Sequence, residues 1–523
     1  MSRVTAPNQA IPVPPADLPG TLGALRAAGH RYRTVKQELR DNLLARMRTG
    51  QERFPGIVGY EDTVLPEVER ALLAGHDMVL LGERGQGKTR LIRSLGALLD
   101  EWTPVLPGSV LNEHPLHPLT PASRALVAEA GDDLPIGWLH RSMRYGEKLA
   151  TPDTSVGDLI GDVDPIRLAE GRTLGDPETI HFGLVPRTNR GIFAVNELPD
   201  LAERIQVALL NVLEERDIQV RGYQLRLPLD LLLVASANPE DYTNRGRIIT
   251  PLKDRFGAEI RTHYPVELGM ELALIRQEAD LVAEVPEHVL EVLARFARAV
   301  RESPSVDPRS GVSARFAIAA AETVAATALR RAGLLAASAG AGAAAGAAAA
   351  GAASADGGSG EVLSGGPYTT ESVNKGTLLT GPEEPVARVG DAVSVTSTLR
   401  GKVEFESGEE GRETEILAHL LRTATAETFR ARLAGLDLSG FTALVAEGGL
   451  IETGELVPSA ELLRQVGTVP GLAKALDRLG LGDAPSPAQA AAGIEFVLEG
   501  LHLTRRLGKD VTESGRTVYG GRG

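Results

Sequence analysis

The sequence predicts an α/β fold, in which a parallel sheet carries helices on both faces and a mostly α-helical C-terminal region follows. Three short apolar runs, at 78–82, 191–197 and 231–238, have the composition of buried parallel strands. Segments with helical periodicity, at 89–101 and 201–216, lie between them. Such alternation is typical of a parallel sheet that is covered on both faces.

The composition narrows the class of protein. The chain has 523 residues, of which 43% are hydrophobic and 24% charged, as in globular proteins. Its net charge of −14 disfavours a nucleic-acid partner. The absence of Cys excludes disulfides, iron–sulfur clusters and a catalytic thiol. We find no membrane-spanning run and no signal-peptide pattern, so we expect a cytoplasmic protein.

Composition also divides the chain into segments. We expect residues 1–50 to form a disordered and helical N-terminal arm, and residues 51–265 to form the α/β domain. Residues 266–331 have helical periodicity. Residues 332–360 are Ala, Gly and Ser with little large apolar surface, which predicts a flexible insertion, with an Ala-rich helix as the alternative. Residues 361–523 look mostly helical and have no role that the sequence reveals.

The most specific motif is a glycine-rich loop after the first apolar run. Its residues are Gly82, Glu83, Arg84, Gly85, Gln86, Gly87, Lys88 and Thr89. It fits G-x-x-x-x-G-K-[ST] and lies between a strand and a helix, the context that a phosphate-binding loop requires. Lys88 would reach the β- and γ-phosphates, and Thr89 would offer its hydroxyl to Mg²⁺. The loop therefore predicts a nucleotide site with Mg²⁺ as its cofactor.

The other two apolar runs end in polar residues. Asn196 and Glu197 end the second run, where an acidic group lies beside Mg²⁺ or polarises the attacking water. Glu197 is the candidate for activating water, and capping of the next helix is the alternative. Asn238 ends the third run and could hold the attacking water or the γ-phosphate. The alternative for Asn238 is a β-turn that an Asn-Pro pair initiates.

The order of these motifs resembles that of AAA+ ATPases, most closely the branch of magnesium-chelatase subunit I and MoxR proteins. GERGQGKT, RGIFAVNELPDL and VASANPED resemble the family's Walker A, Walker B and sensor 1 motifs. FPGIVGYED resembles the segment that flanks the adenine, which adds Ile57 and Val58 to the nucleotide-binding residues. LKDRFG resembles the arginine-finger box and indicates Arg255, and GVSARF resembles sensor 2 and indicates Arg315.

The resemblance covers about residues 53–331 and implies a P-loop module with a helical lid over 266–331. It implies ATP with Mg²⁺ as the bound ligand and a ring, a hexamer, in which a neighbouring subunit supplies the arginine finger. Hydrolysis would remodel a partner protein that carries a von Willebrand A domain. Arg245 and Arg247, between sensor 1 and the finger box, are alternatives for the finger.

One residue departs from the family pattern. The Walker B strand usually ends in Asp-Glu, whereas this chain has Asn196 before Glu197. The amide oxygen can still accept a hydrogen bond from Mg²⁺-bound water, but the negative charge is lost. The departure keeps open a nucleotide-binding switch or scaffold that hydrolyses ATP weakly or not at all.

Overall fold

The structure is a computed structural model. It describes residues 12–163, 180–214, 218–220, 223–225, 227–238, 247–307, 312–350, 383–446, 449–512 and 516–521. The chain divides into two compact units, Met1–Tyr264 and Pro265–Gly523. None of the helices within the described ranges combines the length and the apolar character that a membrane span requires.

The first unit is built on a parallel sheet. The described strands of this unit are β1 (Met78–Leu81), β2 (Trp102–Val105), β3 (Gly137–His140), β4 (Tyr145–Leu149), β5 (Gly161–Val163), β6 (Ile180–Phe182), β7 (Gly191–Asn196), β8 (Ile218–Val220), β9 (Tyr223–Leu225), β10 (Leu231–Ala237) and β11 (Ala258–Arg261). Five of them form one sheet in the order β11-β1-β10-β7-β4, and every pairing in it is parallel. Strands β1, β7 and β10 are buried along their whole length, as their apolar composition predicts.

The described helices of the first unit are α1 (Leu22–Ala27), α2 (Val35–Thr49), α3 (Val64–Ala74), α4 (Lys88–Ser94), α5 (Pro121–Ala130), α6 (Val156–Leu159), α7 (Leu184–Arg187), α8 (Glu203–Glu214) and α9 (Thr250–Arg255). Helices pack on both faces of the five-stranded sheet. Successive strand residues point to opposite faces. Met78 and Leu80 therefore join one core with α2 and α3, while Val79 and Leu81 join a second core with α8. The predicted α/β fold class is confirmed.

The N-terminal segment is part of this unit. Trp138 Nε1 donates a hydrogen bond to Pro19 O at 2.9 Å, and helix α2 buries Leu39 and Leu43 in the core. Helices α1 and α2 lie within the predicted N-terminal arm over residues 1–50, and α2 packs on the first unit because its apolar residues have a sheet face to cover. The first eleven residues lie outside the described part of the chain.

The second unit is mostly helical. Its helices are α10 (Leu268–Glu278), α11 (Glu287–Glu302), α12 (Ala314–Ala350), α13 (Val393–Thr398), α14 (Glu413–Arg432), α15 (Ser439–Ala446), α16 (Ser459–Val466), α17 (Leu472–Arg478) and α18 (Pro487–Leu503). Strands β12 (Ile451–Thr453), β13 (Gly508–Val511) and β14 (Thr517–Gly520) form an antiparallel sheet in the order β12-β14-β13. One hydrophobic core joins α11 and α12 to α14 and α18, through Phe296, Phe316, Phe429 and Phe496.

The Ala- and Gly-rich tract continues a helix. Helix α12 begins in the core, where Val324 and Ala328 are buried, and runs on to Ala350. The prediction of a flexible insertion over 332–360 is therefore wrong as far as Ala350. Ala has the highest helix propensity of all residues, and extending a helix that is already anchored adds one hydrogen bond per residue without a new nucleus. Residues 351–382 lie outside the described part of the chain.

Candidate nucleotide-binding site

Three strand ends bring the predicted motifs together at one edge of the sheet. The N–H of Gly82, which follows β1, donates to Ala237 O at the end of β10, at 3.1 Å. Ser236 Oγ of β10 donates to Asn196 Oδ1 at the end of β7, at 3.1 Å. Asn238 directly follows β10 and is buried. The phosphate loop, the Walker B strand and sensor 1 are therefore neighbours in the fold.

The glycines of the loop have the backbone conformations that a phosphate cradle requires. Gly85 and Gly87 have φ angles of 76° and 82°, in the left-handed region that favours glycine. A Cβ on Gly82 would lie 2.0 Å from Thr262 Oγ1 and is excluded. Helix α4 begins at Lys88, so its N-terminal amides follow the loop directly. The loop fits a nucleotide phosphate, because such amides carry partial positive charge.

Lys88 holds its side chain against the loop. The side chain is buried, and its ammonium donates to Gly82 O and, at 2.8 Å, to Glu83 O. These carbonyls close the loop around the cation. The Lys88 ammonium, which the motif predicts to bind the phosphates, therefore already lies within the loop.

Aromatic and hydroxyl groups that the sequence analysis missed fasten the loop from outside. The Tyr60 hydroxyl donates to Gln86 O, and the Tyr264 hydroxyl donates to Arg84 O at 2.8 Å. Thr262 Oγ1 donates to Gln86 Oε1 at 2.7 Å. Burial raises the pKa of Tyr60 to about 12, so its hydroxyl stays protonated as a donor. The only sequence signal was their position: Tyr60 lies within the adenine-flanking segment, and Thr262 and Tyr264 follow β11.

Ile57 and Val58 lie in the irregular segment that leads to Tyr60, and both are partly exposed. This segment touches helix α4, since a Cβ on Gly56 would lie 2.8 Å from Arg90 Nη2. The two residues that the resemblance assigns to the adenine are therefore beside the helix that follows the phosphate loop.

We expect Tyr60→Phe to lower the free energy of unfolding by about 1 kcal/mol, because one buried hydrogen bond to the loop is lost. The same change should weaken nucleotide binding, since the loop is less firmly held. Urea denaturation and titration with a fluorescent nucleotide measure the two effects. An unchanged affinity would show that the Tyr60 hydroxyl does not shape the loop.

Asn196 is the centre of a polar network at this edge. Its Oδ1 accepts from Thr89 Oγ1 at 3.4 Å and from Ser236 Oγ, and its Nδ2 donates to Glu147 Oε1 at 2.7 Å. Side-chain oxygens such as those of Thr89 and Asn196 are the donors that Mg²⁺ prefers. The donor set therefore fits the magnesium ion that the motif implies.

Glu147 is a carboxylate that the sequence analysis did not identify. It lies on β4, the strand beside β7, where Leu149 pairs with Asn196. Arg93 donates to both of its oxygens, from Nε at 2.8 Å and from Nη2 at 2.9 Å, and the Tyr145 hydroxyl donates at 3.0 Å. Burial tends to raise the pKa of Glu147, but the hydrogen bonds and charge of Arg93 outweigh it and hold the pKa below its usual value.

Glu197 has an uncommon backbone conformation. Its φ and ψ are 55° and 49°, in the left-handed region, and its N–H donates to Ser236 Oγ at 3.3 Å. Non-glycine residues in this region concentrate at functional sites. Glu197 precedes a short 3₁₀ turn, Leu198–Asp200, but its side chain makes no capping hydrogen bond there.

The candidate arginines occupy exposed positions. Arg255 ends helix α9, is half-exposed and forms an ion pair with Glu214 of α8. Arg247 is exposed at the start of the segment that leads to α9, whereas Arg245 lies outside the described residues. Arg315 is the second residue of α12, in the second unit, and is exposed. Arg255 is thus open to a second molecule, as a finger that acts on a neighbouring subunit must be.

Comparisons with known proteins agree with the motifs. No family model matches the chain. The magnesium-chelatase subunit ChlI of Nostoc sp. is 28% identical over 239 residues, which cover 45% of this chain and 60% of the relative. The ChlI subunit of Guillardia theta is 30% identical over 43% of this chain and 62% of its own length. The magnesium-chelatase 38 kDa subunit of Cereibacter sphaeroides is 30% identical over 43% and 64%. The chain spans about three fifths of the length of the curated relatives it matches.

Solved structures show a more distant likeness. A complex of the BchI and BchD subunits of magnesium chelatase has a TM-score of 0.33 at 23% identity, over 55% of this chain and 88% of that chain. A variant of Thermotoga maritima RuvB has a TM-score of 0.31 at 14% identity, over 52% and 64%. The chain thus contains an α/β module with the fold of AAA+ proteins, and it is similar in sequence to the ChlI subunits of magnesium chelatase.

Proposed function

We propose that this protein is an Mg-ATP-dependent ATPase that forms a ring and uses hydrolysis to remodel a partner protein. The observation that carries the proposal is the convergence of the phosphate loop, Asn196 with Glu197, and Asn238 at one edge of the sheet. The curated relatives are magnesium-chelatase subunits and therefore act in assemblies. A hexameric ring, a MoxR-like mode of action, a von Willebrand A domain partner and a cytoplasmic location complete the proposal through the family resemblance.

Binding uses the loop as the structure presents it. The amides after Gly85 and Gly87 surround the phosphates, and Lys88 exchanges its carbonyl partners for phosphate oxygens. Thr89 and Asn196 would hold Mg²⁺, which would neutralise phosphate charge. Ile57 and Val58 line the adenine side.

Hydrolysis requires a positioned water and stabilisation of charge. Glu197 accepts a hydrogen bond from the attacking water and polarises it, while Asn238 orients this water or the γ-phosphate. Arg255 of one subunit stabilises the charge on the γ-phosphoryl group of its neighbour. By resemblance, residues 266–331 form the lid, from which Arg315 senses the γ-phosphate.

The first test is the rate of ATP hydrolysis with Mg²⁺ over a wide range of protein concentration. We expect turnover per chain to rise with concentration, because a complete site needs two subunits. Turnover that is independent of concentration would contradict the shared site. ATP binding without turnover would favour the second candidate, a nucleotide-binding switch, which the Asn at position 196 supports.

We expect a mixture of two inactive variants to recover activity. Arg255→Ala keeps an intact phosphate loop, and Lys88→Ala keeps an intact finger, so mixed rings contain some complete sites. The measurement is the ATPase rate of the 1:1 mixture against that of each variant alone. Glu214→Gln is the matched control: it weakens the Arg255 ion pair but keeps the guanidinium, and it should retain near wild-type activity. No recovery on mixing would count against a finger that acts between subunits.

A further inference from the structure

We propose that Glu147 is a positioning residue that fixes the Asn196 amide with its oxygen toward Thr89. Glu147 on β4 would then supply the negative charge that the family pattern places in an Asp at the end of the Walker B strand. This inference rests on the proposed nucleotide site but does not depend on whether ATP is hydrolysed.

Glu147 determines which way the amide faces. An amide side chain can be turned over, and the hydroxyls of Thr89 and Ser236 can each donate or accept, so they do not decide its orientation. A carboxylate only accepts, so the Asn196 atom at 2.7 Å from Glu147 Oε1 is the Nδ2 donor. Consequently Oδ1 faces Thr89 and Ser236.

Glu147 is itself held in place from two sides. The Arg93 side chain grips both oxygens, and Arg93 belongs to α4, the helix that begins at Lys88. The strand register places Glu147 beside Ala194, two residues before Asn196. The carboxylate therefore links the helix of the phosphate loop to the end of the Walker B strand. Such outer contacts commonly orient a side chain that serves a metal ion.

The contact with Glu147 determines which residue fits at position 196. An Asp there would restore the family's usual Asp-Glu pair, yet it would place a second carboxylate against Glu147 Oε1. Two carboxylates at this distance repel each other. Asn at position 196 is thus compatible with Glu at position 147. A carboxylate at 196 is compatible only with an amide at 147.

The test is a cycle of Asn196→Asp, Glu147→Gln and the double variant, with two readouts that need no turnover. One is the thermal midpoint of the nucleotide-free protein, and the other is the Mg²⁺ concentration needed for half-maximal binding of a fluorescent ADP analogue. We expect Asn196→Asp to lower the midpoint by about 3 °C or more. It should also raise the Mg²⁺ requirement roughly tenfold, because repulsion from Glu147 turns the new carboxylate away from the position that the Asn196 oxygen holds beside Thr89.

Glu147→Gln should raise the Mg²⁺ requirement by itself, because Gln both donates and accepts and no longer selects one amide orientation. The double variant should recover both readouts toward wild type. Glu452→Gln is the matched control, since it removes an Arg-paired carboxylate from Arg516 in the second unit and should leave the Mg²⁺ requirement unchanged. If Asn196→Asp does not fold, recovery of folding in the double variant supports the pairing equally.

The proposal is overturned if Asn196→Asp alone responds to Mg²⁺ as well as wild type, or if the double variant is no better than the sum of the single changes. Wild-type protein that shows the expected cycle but no ATP turnover would contradict the proposed hydrolysis and still support the positioning role. Turnover together with an additive cycle would contradict the positioning role alone.

Discussion

Lys88→Ala is expected to abolish ATP turnover and to weaken nucleotide binding by at least about a hundredfold, because it removes the loop cation that we propose to contact the β- and γ-phosphates. In the structure this ammonium is buried and donates to the carbonyl oxygens of Gly82 and Glu83 in the loop. Isothermal titration with ADP and a steady-state ATPase assay measure the two losses.

Lys474→Ala is the matched control for this change. Lys474 is exposed on α17 in the second unit, so its loss should alter neither binding nor turnover. Unchanged ADP binding by Lys88→Ala would remove the assignment of the phosphate loop, and the proposed function with it.

Glu197→Gln is expected to keep ATP binding and to reduce hydrolysis by about two to four orders of magnitude, the usual range for loss of a general base. Gln is close to Glu in size and can still bond to water, but it cannot take a proton. The variant should therefore trap bound ATP, which rapid filtration and a single-turnover assay can show.

Glu203→Gln provides the comparison for Glu197. Glu203 is an exposed carboxylate in the first turn of α8, a few residues further along the chain, and its neutralisation should leave turnover unchanged. If Glu197→Gln hydrolyses ATP at the wild-type rate, Glu197 does not activate the water and another group at this edge must do so.

The central strands of the sheet could be predicted because burial on both faces gives near-continuous apolar runs. This holds for β1, β7 and β10, which are buried throughout. The outer strands β4 and β11 were missed, because a strand at the edge of the sheet includes polar residues such as Glu147 and Glu259. The order of the strands depends on pairing between distant segments, which a pattern of hydrophobicity does not contain.

Much of the candidate site could be predicted because its glycines and its Lys88 follow a fixed spacing. The contacts that hold the site residues in place could not be predicted, since they join residues far apart in the chain. Glu147 meets Asn196 only because β4 pairs with β7, and Tyr264 meets Arg84 only because β11 pairs with β1. The unusual Asn could be noticed in the sequence, but its partner required the fold.

The left-handed backbone of Glu197 has a consequence for how far this protein can be stabilised. A side chain in that conformation costs about 1 kcal/mol relative to glycine, so a glycine at the residue proposed to activate water would relieve this cost. Screening variants for heat resistance alone would therefore favour loss of the carboxylate. At position 197, selection for thermal stability and selection for ATP turnover favour different residues. The Glu in this chain is the residue that favours turnover.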